Sequence, residues 1–170
     1  HDAPVNLTWA FVPDGLSIPS GVGEATPNSD LFSRMDALFG AANRATWIAQ
    51  FEACFARWSA LTGVNYTRVV SGTNPWDDGA TWGSANSATR GHIRISMKNI
   101  DGGGGILAYN AFPQGGDMVI DRSEGWAAAG STFRFLRNTI MHEHGHGLGF
   151  AHTCSISNTK LMEPFLSTAF

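Results

Sequence analysis

The sequence predicts an α+β fold in which a mixed, twisted β-sheet is backed by two long helices. Residues 5–12, 64–70 and 91–97 are short segments with alternating apolar and polar side chains, the period of half-buried strands. Residues 43–61 and 131–147 instead repeat apolar side chains every three or four positions, which is the period of a helix with one buried face. The two periods together define the fold class.

Composition fits one globular domain over residues 1–170. The chain is 43% hydrophobic and 15% charged, ordinary values for a soluble fold with a real core. Its net charge is −3 and it has no basic stripe, so nucleic acid is not an expected partner. No apolar run is long enough to cross a membrane, so a membrane is not an expected partner. We expect the protein to be a monomer.

The N-terminal third begins with the strand at residues 5–12, and Pro13–Asp14–Gly15 forms a turn at its end. Residues 16–30 are rich in Pro, Gly and Ser and predict a loop, and a short helix is expected over residues 30–39. The first long helix, residues 43–61, ends before Gly63 and is followed by the second strand.

The segment from residue 71 to residue 91 has no clear period and predicts a long loop. Within it, Asp77 and Asp78 are interpreted as solvated turn residues in preference to calcium ligands. A third strand follows at residues 91–97. The second long helix, residues 131–147, has Ser131 or Thr132 as its expected N-cap.

The strongest chemical signal is the pattern H-E-x-x-H-x-x-G-x-x-H at residues 142–152. Positions i and i+4 share one face of a helix, so His142 and His146 can direct two imidazoles at one ion. Gly149 can end the helix and turn the chain back, which returns His152 as a third ligand. Three neutral ligands and one open position predict a catalytic zinc site.

Glu143 follows the first ligand, close enough to reach a water on the ion but poorly placed to bind the ion itself. Zinc makes its water acidic enough to supply hydroxide near neutral pH, so Glu143 is the expected general base. His144 is in neither ligand register and is expected to be solvated or to support a ligand. The alternative, a helix with surface histidines, is disfavoured by the coincidence of five fixed positions.

Ten residues after His152 stands Leu161–Met162–Glu163–Pro164, and with the zinc pattern it resembles the metzincins, zinc endopeptidases that have a later Met-turn. The resemblance implies that Met162 forms an apolar floor under the metal; considered alone, Met162 would be an ordinary core residue. The helix ending in Trp58–Ser59 and the strand after it resemble the matrixin branch, so the fold implied is a matrixin-like catalytic domain with a zinc cleft.

Two further segments resemble the calcium-binding part of matrixins. One is the glycine loop at residues 101–108, and the other is the Gly-Gly-Asp segment at residues 115–126. Carried over by position, the resemblance implies that Asp101, Asp121 and Glu124 share a structural Ca²⁺ with backbone oxygens of the loop. The alternative is a flexible glycine turn beside solvated acids.

The chain departs from the matrixin pattern in three places. Tyr109 and Val119 stand where matrixins have structural-zinc histidines, so we expect one zinc per chain. His92 stands where many matrixins have an Asp for a further calcium, although Asp117 remains. The family's domain normally ends in a helix after the Met-turn, and only six residues follow Pro164 here, so that helix is expected to be missing or truncated.

Cys54 and Cys154 are the two cysteines of the chain. An even pair in a protein expected to be extracellular predicts one disulfide, which would tie the loop after the third zinc ligand to the first long helix. The alternative is two buried free thiols.

The resemblance implies a secreted zinc-dependent endopeptidase that prefers an apolar P1′ residue. A protein or peptide substrate would bind extended beside an edge strand near residues 106–112, and residues 155–165 would form the P1′ pocket wall. Two alternatives stay open. One is a catalytically weak zinc-containing binding module of a larger secreted protein, and the other is a structural zinc domain. Astacin, serralysin and adamalysin relationships are less consistent with Thr153 after the third histidine.

Overall fold

The computed structural model describes residues 4–127, 133–154 and 157–166. Its centre is a five-stranded sheet in the order β2-β1-β3-β5-β4. The strands are β1 (Asn6–Phe11), β2 (Asn65–Arg68), β3 (Ile93–Lys98), β4 (Ala108–Asn110) and β5 (Met118–Asp121). The three strands predicted from alternation are therefore confirmed as elements, with two shorter strands beside them.

The sheet is mixed, as the sequence predicts. β1 pairs in parallel with β2 and β3, and β3 pairs in parallel with β5. β4 runs antiparallel to β5, with Tyr109 opposite Val119. Since β4 is last in the strand order, its outer side forms an edge of the sheet among the described residues.

Three α-helices accompany the sheet: α1 (Leu31–Phe39), α2 (Arg44–Thr62) and α3 (Arg134–Gly147). A turn of 3-10 helix, Ala41–Asn43, joins the first two. α2 ends where Gly63 adopts φ +75°, a left-handed conformation that glycine takes without a Cβ clash. The expected N-cap of α3 at Ser131 or Thr132 lies outside the described residues.

One face of the sheet packs against all three helices to form the main core. Trp9 and Phe11 of β1 alternate onto this face, and aromatic residues of α2 meet them there. The Trp9 and Phe55 rings stack with centroids 4.6 Å apart, and Phe51 contacts Phe11 edge-on at 4.9 Å. The periodic faces of β1 and α2 thus bury each other, which is the arrangement that their two periods predict.

The opposite face of the sheet is covered by loops and is partly polar. Every residue of β3 is buried, including Arg94 and Lys98 on this second face. Arg94 donates to Asp77 through Nε (2.6 Å) and Nη2 (3.2 Å), and its guanidinium also donates to the carbonyl of Thr81. Asp77 is 0% exposed in this pair, so its interpretation as a solvated turn residue is wrong. The pair anchors the long loop before β3.

The predicted disulfide is corrected by the structure, in which Cys54 and Cys154 are both free. Cys54 is buried between α2 and α3, and its thiol donates to the carbonyl of Arg137 at 3.6 Å. Burial raises the pKa of the Cys54 thiol to about 12. Cys154 is exposed in the loop after His152, so the two sulfurs occupy different environments.

Among the described residues, no helix combines the length and the apolar character needed to cross a membrane.

Candidate metal centre and active-site cleft

The last two turns of α3 and the loop after them bring three histidines together. His142 and His146 lie one helical turn apart, and their Nε2 atoms are 3.1 Å from each other. The Nε2 atom of His152 is 3.2 Å from each of them. The spacing of the sequence pattern therefore produces the convergence that it predicts.

His152 reaches this position because α3 ends sharply. Gly149 adopts φ +95°, and its N–H donates to the carbonyl of His146 at 2.8 Å. The N–H of Phe150 donates to the carbonyl of Gly145 at 2.9 Å, which closes the C-terminus of the helix. The chain then leaves the helix axis and returns His152 toward the cleft.

The three nitrogen atoms fit a zinc ion. Tetrahedral zinc with bonds of about 2.0–2.1 Å requires its ligand nitrogens to be about 3.3 Å apart, and the observed separations are 3.1–3.2 Å. Over residues 4–127, 133–154 and 157–166, this is the only group of three or more His, Cys, Asp or Glu side chains whose ligand atoms lie within 4.8 Å of one another.

Two of the imidazoles are oriented by backbone carbonyls. His142 Nδ1 lies 2.7 Å from the carbonyl oxygen of Leu161, and His146 Nδ1 lies 2.7 Å from that of Phe150. With Nδ1 protonated as the donor in each bond, Nε2 keeps its lone pair for a metal. Burial lowers the pKa values of His142 and His152, which favours the neutral form that a metal requires.

The turn that carries Met162 packs directly against the helix that carries His142 and His146. A Cβ atom added at Gly145 would overlap Sδ of Met162, so the methionine occupies the space that a side chain at position 145 would need. The backbone N–H of Thr153 donates to the carbonyl of Met162 at 2.7 Å, which joins this turn to the loop of the third histidine.

Glu163, which sequence reasoning did not single out, holds the Met-turn in shape. It is 1% exposed, and its carboxylate accepts hydrogen bonds from the backbone N–H groups of Asn158, Thr159 and Lys160 at 2.7–3.1 Å. These bonds lower the pKa of Glu163 against the opposing effect of its desolvation. The only indication of this role in the sequence is the position of Glu163 directly after Met162, and that position does not indicate which groups the carboxylate binds.

Glu143 is 8% exposed and lines the cleft next to His142. Burial raises the pKa of Glu143 to about 8. A cation held by the neighbouring histidines would lower this pKa, and a carboxyl group whose pKa lies near neutrality can both accept and return a proton.

His144 is not the solvated residue that its register suggests. It is 2% exposed, and its Nε2 atom lies 2.7 Å from the hydroxyl oxygen of Tyr66 on β2. Its ring also packs against Phe55 and Trp58 of α2. His144 therefore fastens α3 to its neighbours and points away from the three-histidine group.

The histidines open onto a cleft of about 630 Å³. The edge strand β4 and the preceding Ile106–Leu107 line it, together with Val22, Phe112 and the segment at residues 164–166. The predicted pocket wall at residues 155–165 thus contributes Pro164 and Phe165, while residues 155 and 156 lie outside the described residues. A cleft bordered by a strand edge that is unpaired among the described residues suits an extended peptide.

The three predicted calcium ligands surround the glycine loop, and each binds backbone N–H groups there. Asp121 Oδ2 accepts from Ile100, Asp101 and Gly102 at 3.1–3.3 Å. Glu124 Oε1 accepts from Gly104 at 2.7 Å.

Asp101 accepts from the backbone N–H of Ile106 at 3.0–3.1 Å. The three carboxylates are not brought within 4.8 Å of one another as the histidines are. The calcium site therefore stays a prediction.

The two positions that depart from the structural-zinc pattern lie on the loop-covered face. The hydroxyl of Tyr109 donates to Glu24 Oε1 at 2.7 Å, and Val119 packs in a small apolar cluster with Val12 and Ile18. At the second departure, His92 Nδ1 lies 3.0 Å from the backbone N of Thr8 and 2.8 Å from its hydroxyl oxygen.

Comparison with known proteins identifies a family of similar sequences. The sequence model of the family described as Matrixin matches residues 32–169. Interstitial collagenase of Bos taurus is 31% identical over 140 residues, which cover 81% of this chain and 27% of that protein.

Metalloendoproteinase 2-MMP of Arabidopsis thaliana is 29% identical over 127 residues, 69% of this chain and 31% of that protein. Matrix metalloproteinase-19 of Mus musculus is 26% identical over 106 residues, 62% of this chain and 18% of that protein. The matched region thus spans less than a third of the length of each of these relatives.

Proposed function

Because the chain belongs to the matrixin family of metzincins, we propose that it is a zinc-dependent endopeptidase. The observation that carries this proposal is the triangle of Nε2 atoms of His142, His146 and His152, with sides of 3.1–3.2 Å, at the floor of an open cleft. These three histidines would hold one catalytic zinc. Met162 would form the apolar floor under that metal.

Zinc at this position would lower the pKa of a bound water and polarise a carbonyl group. The residues of the chain do the rest. Glu143 accepts the proton of the attacking water and returns it to the leaving amine. Leu161 and Phe150 hold His142 and His146 in the required orientation through their carbonyls.

The substrate of the proposed enzyme is a protein or peptide. Its backbone would pair with the outer edge of β4, and the cleft walls at Ile106, Phe112 and Phe165 favour apolar side chains, including that of the P1′ residue. Membership in a family that includes a collagenase and other matrix metalloproteinases supports a protein substrate and an extracellular location.

Two further parts of the proposal concern the chain as a whole. We propose that residues 1–170 form a single catalytic domain. We also propose that Asp101, Asp121 and Glu124 bind a structural Ca²⁺ at the glycine loop, with chain carbonyls completing the ligand set.

Replacing Glu143 by Gln tests the assignment of the base. The variant keeps the three ligands and the shape of the cleft, so zinc should remain at one ion per chain while kcat on a peptide library falls by at least about 10². Zinc content measured on the same sample separates loss of the base from loss of the metal. Near-normal turnover at full zinc occupancy would refute the role of Glu143.

The second candidate function is a catalytically weak zinc-containing binding module. The exposed apolar side chains around the cleft, such as Phe112 and Phe165, favour it as surfaces for a bound segment. Peptide hydrolysis by the wild-type protein that disappears with a zinc chelator and returns with added zinc would decide for the enzyme.

A further inference from the structure

The loop between β1 and α1, residues 12–30, reaches the cleft that contains the three histidines. It precedes the region matched by the family, which begins at residue 32. Its residues Ile18 and Leu16 pack on the polar face of the sheet, and its residue Val22 lines the cleft. The loop is therefore a part of the candidate active site that the family match does not cover.

A buried ammonium group fixes this loop to the sheet. Lys98 of β3 is 0% exposed, and its Nζ donates to the carbonyls of Ile18, Pro19 and Ala25 at 2.9–3.3 Å. The same Nζ lies 2.7 Å from Oε1 of Glu24, whose side chain is 2% exposed. Four oxygen atoms of one loop thus surround a cation supplied by the sheet.

Glu24 gathers the tip of the loop around its carboxylate. It accepts from the backbone N–H groups of Gly21 and Val22 at 2.8–3.1 Å, and from the hydroxyls of Ser20 and Tyr109 at 3.0 and 2.7 Å. Burial would raise the pKa of Glu24, but the hydrogen bonds from the ammonium group and from the loop outweigh it and hold that pKa far below its ordinary value. The carboxylate is therefore ionised when it binds the loop tip.

The loop tip lies flat on an edge-strand side chain. A Cβ atom added at Gly21 would overlap the Tyr109 ring, so the glycine allows the backbone to pack directly on β4. Val22 follows at once and is 48% exposed within the cleft lining. An apolar side chain held beside a substrate-binding edge is placed to contact the substrate.

We propose that Val22 determines specificity by contacting an apolar side chain of the bound peptide, and that Lys98 and Glu24 are positioning residues that hold it there. The inference rests on the proposed function. A loop tip that is already rigid loses little conformational entropy when substrate binds. An apolar contact on it therefore contributes more to the choice between substrates than the same contact on a mobile loop.

The buried ion pair of Lys98 and Glu24 holds the loop tip in its position. Removing one member of a buried, hydrogen-bonded ion pair leaves the other charge without compensation. Here the remaining charge would be the Glu24 carboxylate or the Lys98 ammonium, and the loop would have to move to expose that charge to water. The position of Val22 therefore depends on a pair of residues that do not line the cleft themselves.

The direct test compares Val22→Ser with the wild type by cleavage-site profiling on a peptide library. Preference for apolar residues at one substrate position should fall roughly five- to tenfold in kcat/KM, with the other positions unchanged. Val5→Ser is the matched control, because Val5 is the same residue type and is also largely exposed, but it precedes β1 and does not line the cleft. An unchanged profile in Val22→Ser would overturn the inference.

The positioning role is tested with Lys98→Met and Gly21→Ala. Gly21→Ala displaces the loop tip from Tyr109 without replacing either member of the buried pair, so it reports on loop position even when Lys98→Met fails to fold. Each folded variant should reduce selectivity at the same substrate position as Val22→Ser, mainly through KM, while kcat on a peptide lacking an apolar residue there stays near the wild-type value. Lower thermal stability with an intact profile would show a purely structural role and refute the positioning claim.

Failure of the proposed function would look different. A wild-type protein that holds zinc and cleaves no peptide of the library would refute the endopeptidase and, with it, this inference. An active wild type whose profile is the same in all the variants would refute the role of Val22 alone.

Discussion

Asp117, directly before β5, has a carboxyl group that is less easily ionised in the folded protein than in water, because it is buried. Its Oδ1 accepts from the backbone N–H of Arg94 at 2.8 Å. Burial raises the pKa of Asp117 to about 6, a shift that the hydrogen bond and charge of Arg94 reduce and that the charge of Asp77 increases. Near neutral pH the folded protein therefore holds an ionised group that would be hydrated more favourably in the unfolded chain.

The pKa of Asp117 in the folded state lies above its ordinary value of 3.8, so the folded protein binds more protons than the unfolded chain between about pH 4 and pH 6. The free energy of unfolding should consequently fall as pH rises through that window. Asp117→Asn keeps an acceptor for Arg94 and removes the titration. The difference in the free energy of unfolding, variant minus wild type, should be more positive at pH 7.5 than at pH 4.5, by at most about 3 kcal/mol. Urea unfolding at the two pH values measures it.

Asp78→Asn provides a control with the opposite sign. The hydrogen bond from Arg90 lowers the pKa of Asp78 to about 2 despite the effect of desolvation. The stabilising contribution of Asp78 is thus complete above its ordinary pKa and is lost as pH falls through the folded-state value. Replacing it should lower stability similarly at pH 4.5 and pH 7.5. A pH-independent difference for Asp117→Asn would contradict its raised pKa.

At the residue scale, the sequence predicts the three histidines because helix geometry relates His142 to His146 and Gly149 marks the turn that returns His152. It does not predict what orients them, since the acceptors at Leu161 and Phe150 are backbone carbonyls that any residue could supply. His144 illustrates the same limit. Its position outside the ligand register is visible in the sequence, whereas its bond to Tyr66 depends on how α3 packs against β2.

At the scale of elements, α3 and the turn at Met162 pack as one unit around a single glycine. The space at Gly145 accommodates Met162, and Trp58 of α2 would be 3.4 Å from an added Cβ. The Met-turn also carries Leu161, the acceptor for His142. A side chain at position 145 would therefore move a group that orients His142, a ligand of the proposed zinc site.

We predict that Gly145→Ala weakens zinc binding by about tenfold or more, the usual size of effects at groups that orient metal ligands. Alanine favours the helix by about 1 kcal/mol over glycine, so the unfolding free energy of the metal-free protein should change little or rise. Competition with a chromophoric chelator measures the affinity, and urea unfolding measures the stability.

Met162→Ala and the double variant Gly145→Ala/Met162→Ala complete the experiment. If the overlap causes the loss, the double variant should bind zinc better than the sum of the two single effects implies. Additive losses would show that Gly145 acts on the metal by another route.

The predicted strands and long helices are those whose periodic pattern extends over six or more residues of the sequence. β2 itself has only four residues, but the alternation around it runs over residues 64–70, whereas no such pattern surrounds β4, with three residues, or β5, with four. β3 alternates as if one face were solvated, yet loops cover its polar face. Alternation cannot reveal such a cover, because Arg94 and Lys98 find their partners far along the chain.

At the scale of the whole molecule, the glycine loop joins parts of the sheet that are distant in sequence. Asp121 at the end of β5 binds the loop backbone at residues 100–102, and the loop then leads into the edge strand β4. Asp121 is 0% exposed, so Asp121→Ala would remove backbone hydrogen bonds whether or not calcium is present. That substitution cannot by itself test the proposed ion.

Asp101→Asn and Glu124→Gln are sharper probes, because an amide oxygen can still accept from Ile106 and Gly104 while the negative charge is lost. In the wild type, calcium at a hundred times its dissociation constant should stabilise the folded state by about 2.7 kcal/mol. For a chain of this size, that corresponds to a rise of roughly 5–10 °C in Tm. In each variant the rise should shrink or disappear, with the Tm in a calcium chelator close to that of the wild type.

The measurement is Tm by calorimetry in a calcium-selective chelator and across a calcium titration, with zinc content determined at each point. Calcium should act through the loop and β4, so its removal should lower Tm while the three-histidine site keeps its zinc. A wild-type Tm that does not respond to calcium would refute the proposed site. A response that persists in both variants would place the ion on other residues, because carboxylate charge dominates calcium affinity.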